Sequence, residues 1–190
     1  MDVSDIINKI YRLPQTSLDT LIGSVSEVEY PKNFHLHREN KKETKSYFIK
    51  KGIVRAYTHK DDKEVTFWFG QEGDLVLPLQ TLSAGLGEYA TVELLEDCIL
   101  YEIALERLQE LYLNDIHIAN WGRKFAESEF LQTEERLISL LFTTASERYM
   151  KLIQNNPELL QRMPLECLAS YLGITPVSLS RIRAKLKRVL

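Results

Sequence analysis

The segment from Met163 to Leu186 constrains this chain more than any other. Pro164 suits a first helical position, and Leu165, Leu168, Ala169 and Leu172 follow at helical spacing. Gly173 stands where that helix must stop and tolerates the positive φ of a tight turn. Thr175 can cap a second helix with Pro176 in its first turn, and Leu179, Ile182 and Leu186 give that helix an apolar stripe. Ala169 is small enough to let two helices cross closely. Two short helices joined by a glycine turn predict a helix-turn-helix.

The charge of the second helix narrows its use. From Pro176 to Leu190 the sequence holds Arg181, Arg183, Lys185, Lys187 and Arg188 and no acid. The helix macrodipole favours cations in a last turn, which accounts for Lys185 to Arg188 but leaves Arg181 and Arg183. A helix that docks on DNA accounts for both. The whole chain has a formal net charge of −3, so the basic end reads as a local docking element on a mildly acidic body.

With 190 residues, 44% of them apolar, the chain can build one full domain and a smaller one. Cys98 and Cys167 are its only cysteines, and both lie in apolar patterns. They are expected as buried free thiols in a reducing compartment, and their number excludes a four-cysteine cluster. The N-terminus lacks a basic flank and long apolar core, and no 18-residue apolar run occurs. These features predict a cytoplasmic protein without a membrane partner.

Along the chain, Ile6, Ile7, Ile10, Leu13, Leu18, Leu21 and Ile22 predict two short helices broken at Pro14, with Ser4 and Ser17 as caps. From Val25 the pattern changes to short β-branched and aromatic runs: Val28–Tyr30, Tyr47–Ile49, Ile53–Tyr57, Val65–Phe69, Ala90–Leu94 and Cys98–Ile103. Turn chemistry at 50–52, 60–63, 70–74 and 96–97 separates them, which predicts an antiparallel sandwich or roll. Helical spacing resumes at Leu105. The longest helix is expected over about 114–143, where Ile118, Trp121, Phe125, Leu131, Leu137, Leu140 and Leu141 recur mostly by threes and fours. A helix of that length can pair with a second copy, so Ile118, Trp121 and Phe125 are candidate homodimer residues. A dimer also suits DNA, because two-fold proteins read two-fold half-sites. Asn155-Asn-Pro157 marks a break before the final helices.

This order of parts resembles the Crp/Fnr (catabolite activator and fumarate–nitrate regulator) family of transcription regulators. Tyr47-Phe-Ile-Lys-Lys-Gly-Ile-Val-Arg55 is similar to that family's early roll hairpin. Glu64-Val-Thr-Phe-Trp-Phe-Gly-Gln-Glu-Gly-Asp74 resembles the strand and Gly-Asp turn before its phosphate-binding cassette. Leu168-Ala-Ser-Tyr-Leu-Gly-Ile-Thr175 and Leu179-Ser-Arg-Ile182 resemble its helix-turn-helix. The resemblance implies an α+β chain: an antiparallel, jelly-roll, cyclic-nucleotide-binding-like effector domain over 1–110, a dimerisation helix over 111–143, and a helix-turn-helix domain over 144–190. It also implies a homodimer on double-stranded DNA, with RNA polymerase as a further partner.

The departures from the family pattern matter for mechanism. Leu77-Pro78 stand where cyclic-nucleotide binders have Gly-Glu, and Pro78 removes a backbone donor. Glu88 falls at or beside the arginine that would neutralise the cyclic phosphate. That reversal costs on the order of several kcal/mol in a low dielectric, so no cyclic AMP and no other cofactor is expected. Phe67, Phe69, Trp68, Leu77, Leu79 and Tyr89 could still line an apolar cavity for a different effector, with Pro78 and Glu88 at its edge.

At the DNA helix, the resemblance places base-facing residues at Pro176, Val177, Ser180 and Arg181, with Arg181 suited to a guanine edge. Thr175, Ser178 and Arg183 are phosphate-positioning candidates. The β-wing usual in the family is expected to be truncated or missing.

Two other readings compete. His35-Leu-His37 with Glu39, Glu43 and Gly52 resembles the metal site of cupin-type β-roll enzymes. The spacing to Glu43 is one residue too long, Gly52 is shifted, and His59 and His117 fall outside the place of the last ligand. Two surface histidines beside the solvated run Arg38 to Lys45 explain the same residues. No catalytic constellation or bound metal is therefore expected. The other reading is a dimeric sensor that acts through protein partners after losing DNA binding.

Overall fold

The computed structural model describes residues 1–61 and 63–186. Lys187 and Arg188, counted in the basic run, lie outside the described residues. The break at Pro14 separates α1 (Val3–Ile10) from α2 (Gln15–Ile22). The caps differ from expectation. Asp2 accepts the Val3 N–H at 2.7 Å, Ser4 donates to that carboxylate, and α2 follows Pro14 without a side-chain cap. A carboxylate two residues earlier is the stronger acceptor at a helix N-terminus. Ser17 is buried inside α2 instead.

Eight strands follow among the described residues: β1 (Ser26–Tyr30), β2 (His35–His37), β3 (Lys45–Lys51), β4 (Val54–Lys60), β5 (Lys63–Gly70), β6 (Leu75–Val76), β7 (Thr91–Leu94) and β8 (Cys98–Ala104). They form two antiparallel four-stranded sheets, ordered β1-β8-β3-β6 and β2-β7-β4-β5. Alternation on β3 divides the core. Tyr47 and Ile49 face between the sheets with Val54, Val92, Leu94 and Leu100. Phe48 faces outward, joining Tyr101 and Ile103 of β8 against the helices.

A short helix, α3 (Leu79–Ala84), interrupts the roll at a place where sequence periodicity gave no signal. Pro78 enters it with φ −77° and Gly85 ends it in the left-handed conformation, φ +66°. After the roll come α4 (Leu105–Asn114) and the long α5 (Ile116–Phe142). Asp115 starts α5 by accepting from the amides of His117 and Ile118.

The three residues expected at a dimer interface are placed otherwise. Ile118, Trp121 and Phe125 are buried within their own chain, packed on Phe48 and on α1 and α2. The Trp121 indole donates to the Ile7 carbonyl at 2.9 Å. The N-terminal helices supply an intrachain partner for this half of α5. Its later half is the exposed one, carrying Phe130, Leu131, Leu137, Ile138 and Leu141 in the open.

The remaining helices are α6 (Ala145–Asn155), α7 (Leu159–Arg162), α8 (Leu165–Tyr171) and α9 (Pro176–Leu186). Thr144 and Glu147 form a capping box on α6. These helices share one apolar core with Ile53 and Leu95 of the roll, so packing continues across the junction. Both cysteines are buried free thiols. Burial pushes Cys98 up to about 12, which leaves it protonated and inert. Among the described residues no helix is long and apolar enough to cross a membrane.

Candidate nucleic-acid interface

The turn between α8 and α9 is built as its residues require. Gly173 adopts φ +71°. Its amide bonds to the Ser170 carbonyl at 2.9 Å, and the Ile174 amide bonds to the Ala169 carbonyl at 3.0 Å. These paired bonds close a left-handed helix cap. Pro164 sits just before α8, as its cap residue rather than in its first turn. Thr175 caps α9, its hydroxyl accepting the Ser178 N–H at 3.2 Å. Leu168, Ala169, Leu172 and Leu179 are fully buried between the two helices.

Packing Leu179 inward turns Val177, Ser180 and Arg181 outward, and all three are exposed, with Pro176 and Ser178 half-buried beside them. Val177 is 60% exposed, an apolar side chain in water with no neighbour to cover it. Arg183 is placed differently. Its Nε donates to the Tyr149 hydroxyl of α6 at 3.0 Å and its guanidinium lies over that ring. Its role as a free phosphate contact is thereby reduced, since it faces the chain's own core.

A contact that sequence reading did not foresee holds α8 to the roll. The Ser170 hydroxyl donates to the Glu64 carbonyl and accepts the Thr66 N–H, both at 2.9 Å, so it bonds to β5 as a neighbouring strand would. Phe69 packs on Tyr171 with ring centroids 5.1 Å apart. Arg162 spans Glu72 and Glu96, two turns of the roll. Burial alone would raise the Glu72 carboxyl, but hydrogen bonds from Arg162 and the Gly52 amide outweigh it and hold it at about 2.

The effector-pocket candidates are not gathered around one cavity. Phe69 has gone to the contact with α8, and Leu77 joins the core beneath the helices. Pro78 opens α3, while Leu79 on its first turn is 47% exposed. Tyr89 is 51% exposed and tilted against Phe67. Glu88 is buried and turned onto α3, accepting the Thr81 N–H at 2.8 Å and its hydroxyl at 2.9 Å. A carboxylate already takes donors at the start of α3. A cleft of about 530 Å³ opens instead between β5 and α8, beside Arg55, Lys63, Glu166 and Cys167.

The cupin-like residues are dispersed by their partners. A register shift between His35 and His37 breaks the strand alternation that would align them. Buried His37 bonds to the Lys45 carbonyl, and burial lowers its pKa, favouring the neutral ring. Glu39 pairs with His59, while Glu43 accepts the Arg38 amide. Among the described residues no group of three or more His, Cys, Asp or Glu is placed to hold a metal ion.

A roll of two antiparallel sheets, a long helix and a docked helix-turn-helix make up the fold, and known proteins share it. Residues 27–115 match the family model of the cyclic nucleotide-binding domain. The structure of FixK2 from Bradyrhizobium japonicum superposes with a TM-score of 0.77 at 20% identity, covering 86% of this chain and 85% of that one. The c-di-GMP responsive global regulator CLP of Xanthomonas campestris gives 0.72 at 17% identity over 92% of both chains. A protein from Eubacterium rectale assigned to the Crp/Fnr family of transcriptional regulators gives 0.74 at 16%, covering 92% of this chain and 84% of that one. No curated protein matches the chain by sequence. Residues 27–115 thus resemble a cyclic nucleotide-binding domain, and the fold as a whole is shared with these solved structures, as the sequence resemblance implied.

Proposed function

We propose that this chain is a homodimeric, DNA-binding transcription regulator of the Crp/Fnr type whose roll does not respond to cyclic AMP. The observation that carries the reading is the outer face of α9. Val177, Ser180 and Arg181 share that face, and no acid lies on the helix. Arg181 can meet a guanine edge in bidentate fashion, Val177 a thymine methyl, and Thr175, Ser178 and Pro176 border the phosphate side. Residues 1–110 serve as the effector domain, 111–143 as the linker helix and 144–190 as the reading head.

Dimerisation uses the later half of α5. Phe130 and Leu137, and likewise Leu131 and Ile138, stand seven residues apart, the repeat of a helix-pair seam, and all are exposed. Against cyclic AMP stands Glu88, whose carboxylate already takes the Thr81 donors that a phosphate would need. An enzymatic reading finds no support in the dispersed histidines. Selection of bound sequences from a random DNA pool tests the proposal: the wild type enriches a two-fold site, and Arg181→Ala loses preference at one base pair per half-site. A pool that never departs from random would refute DNA reading by this helix.

A further inference from the structure

We propose that the cleft between α5, α6 and the end of α8 binds a small phosphate-bearing anion. This cleft, about 330 Å³ in volume, is lined by Arg136, Arg148 and Lys151, with Gln132, Asn155 and Tyr171 around them. Its size is that of a small-ligand site. Among the described residues none of the three cations makes an ion pair, although Glu135 also lines the cleft. Arg55 and Arg162, by contrast, are each paired with two carboxylates.

The hydrogen bonds of the two guanidinium groups go to main-chain carbonyls. Arg136 Nη2 donates to the Tyr171 carbonyl at 2.7 Å and stacks on the Tyr171 ring, centred 3.6 Å away. Arg148 donates to the Thr143 carbonyl and, at 2.8 Å, to the Leu172 carbonyl. Capping the end of α8 explains those bonds but leaves one donor over. Arg148 Nε is buried with no partner, and such a donor costs free energy unless something accepts from it. Burial lowers the pKa of Arg136, Tyr171 offsets part of that, and repulsion from Arg148 adds a smaller lowering. Two like charges that no carboxylate pairs with are stabilised by an anion that accepts from both. Exposed Lys151 supplies a third donor at the mouth, and the Gln132 and Asn155 amides can orient an organic remainder.

Calorimetric titration of the full chain at constant ionic strength tests this, using inorganic phosphate and AMP as separate probes. At least one probe should bind saturably at one site per chain, and Lys151→Gln should weaken it at least tenfold. Arg136→Met should abolish it. AMP binding more tightly than phosphate assigns an organic phosphate, and equal affinities assign the free anion. No saturable heat with either probe overturns the proposal. So does binding that Lys151→Gln leaves unchanged, a substitution at an exposed position that leaves the fold intact. Loss of DNA affinity in that variant without any phosphate binding by the wild type overturns it too, and assigns the cations to the DNA backbone.

Discussion

Arg162 and Glu72 meet as a fork, with Nη1 3.1 Å from Oε2 and Nη2 2.8 Å from Oε1. One lies on α7, among the C-terminal helices, and the other on a turn of the roll. The same guanidinium also reaches Glu96 on a second turn. A planar, bidentate pair fixes orientation as well as distance. Lysine in place of Arg162 would keep the charge and lose the fork.

The pH dependence of this fork follows from the depressed Glu72 carboxyl, held at about 2 when folded against an ordinary 4.5. Folding therefore favours its charged form. Its contribution is complete above pH 4.5 and is lost as pH falls from there towards 2. Thermal melts of wild type and Glu72→Gln should differ at pH 7 and converge over that acid window. Arg162→Ala should cost about 1 kcal/mol at neutral pH, since the partners are partly exposed.

Trp121 offers a larger effect. Truncation to alanine in a fully buried site costs about 3–5 kcal/mol, read as a lower urea midpoint. Phenylalanine keeps most of the volume but strips the donor from the Ile7 carbonyl, which costs about 1–2 kcal/mol. An alanine variant as stable as wild type would mean that α1 does not pack on α5.

The exposed half of α5 predicts an assembly state. Leu137→Glu with Leu141→Glu places charge along the seam of Phe130, Leu131 and Ile138. Sedimentation should show a dimer for wild type and a monomer for the double variant, with unchanged far-ultraviolet circular dichroism. A wild-type monomer at high concentration would reject the seam.

Ser170→Ala removes both bonds to β5 and leaves the Thr66 amide without its acceptor. The expected loss is about 1–3 kcal/mol at that contact, seen as faster hydrogen exchange at Thr66 and in α8. Unchanged exchange would show that apolar packing alone holds the contact.

Much of this architecture was legible in the residues. Pro14, Gly173, Thr175 and the β-branched runs act locally, and each produced the break, cap or strand its chemistry demands. The misplaced part was decided by distant partners. Trp121 reads as one member of an exposed stripe until α1 folds over it. Phe69 reads as pocket lining until Tyr171 arrives from the far end of the chain. Glu88 was recognised as the wrong charge for a phosphate, but its bond to Thr81 depends on α3, which a six-residue pattern could not announce. Arg136 and Arg148 did carry an unread sign: neither has a carboxylate three or four residues away.

The hydroxyl of Ser170 on β5 has a consequence for solubility. β5 ends its sheet, and an unpaired strand border invites pairing with another molecule. Here α8, the first helix of the helix-turn-helix, serves as the cover. Any rearrangement that lifts this helix away also uncovers main-chain donors and acceptors beside Phe69. Mobility of the helix-turn-helix is thereby tied to a risk of self-association, and variants that free it should precipitate sooner.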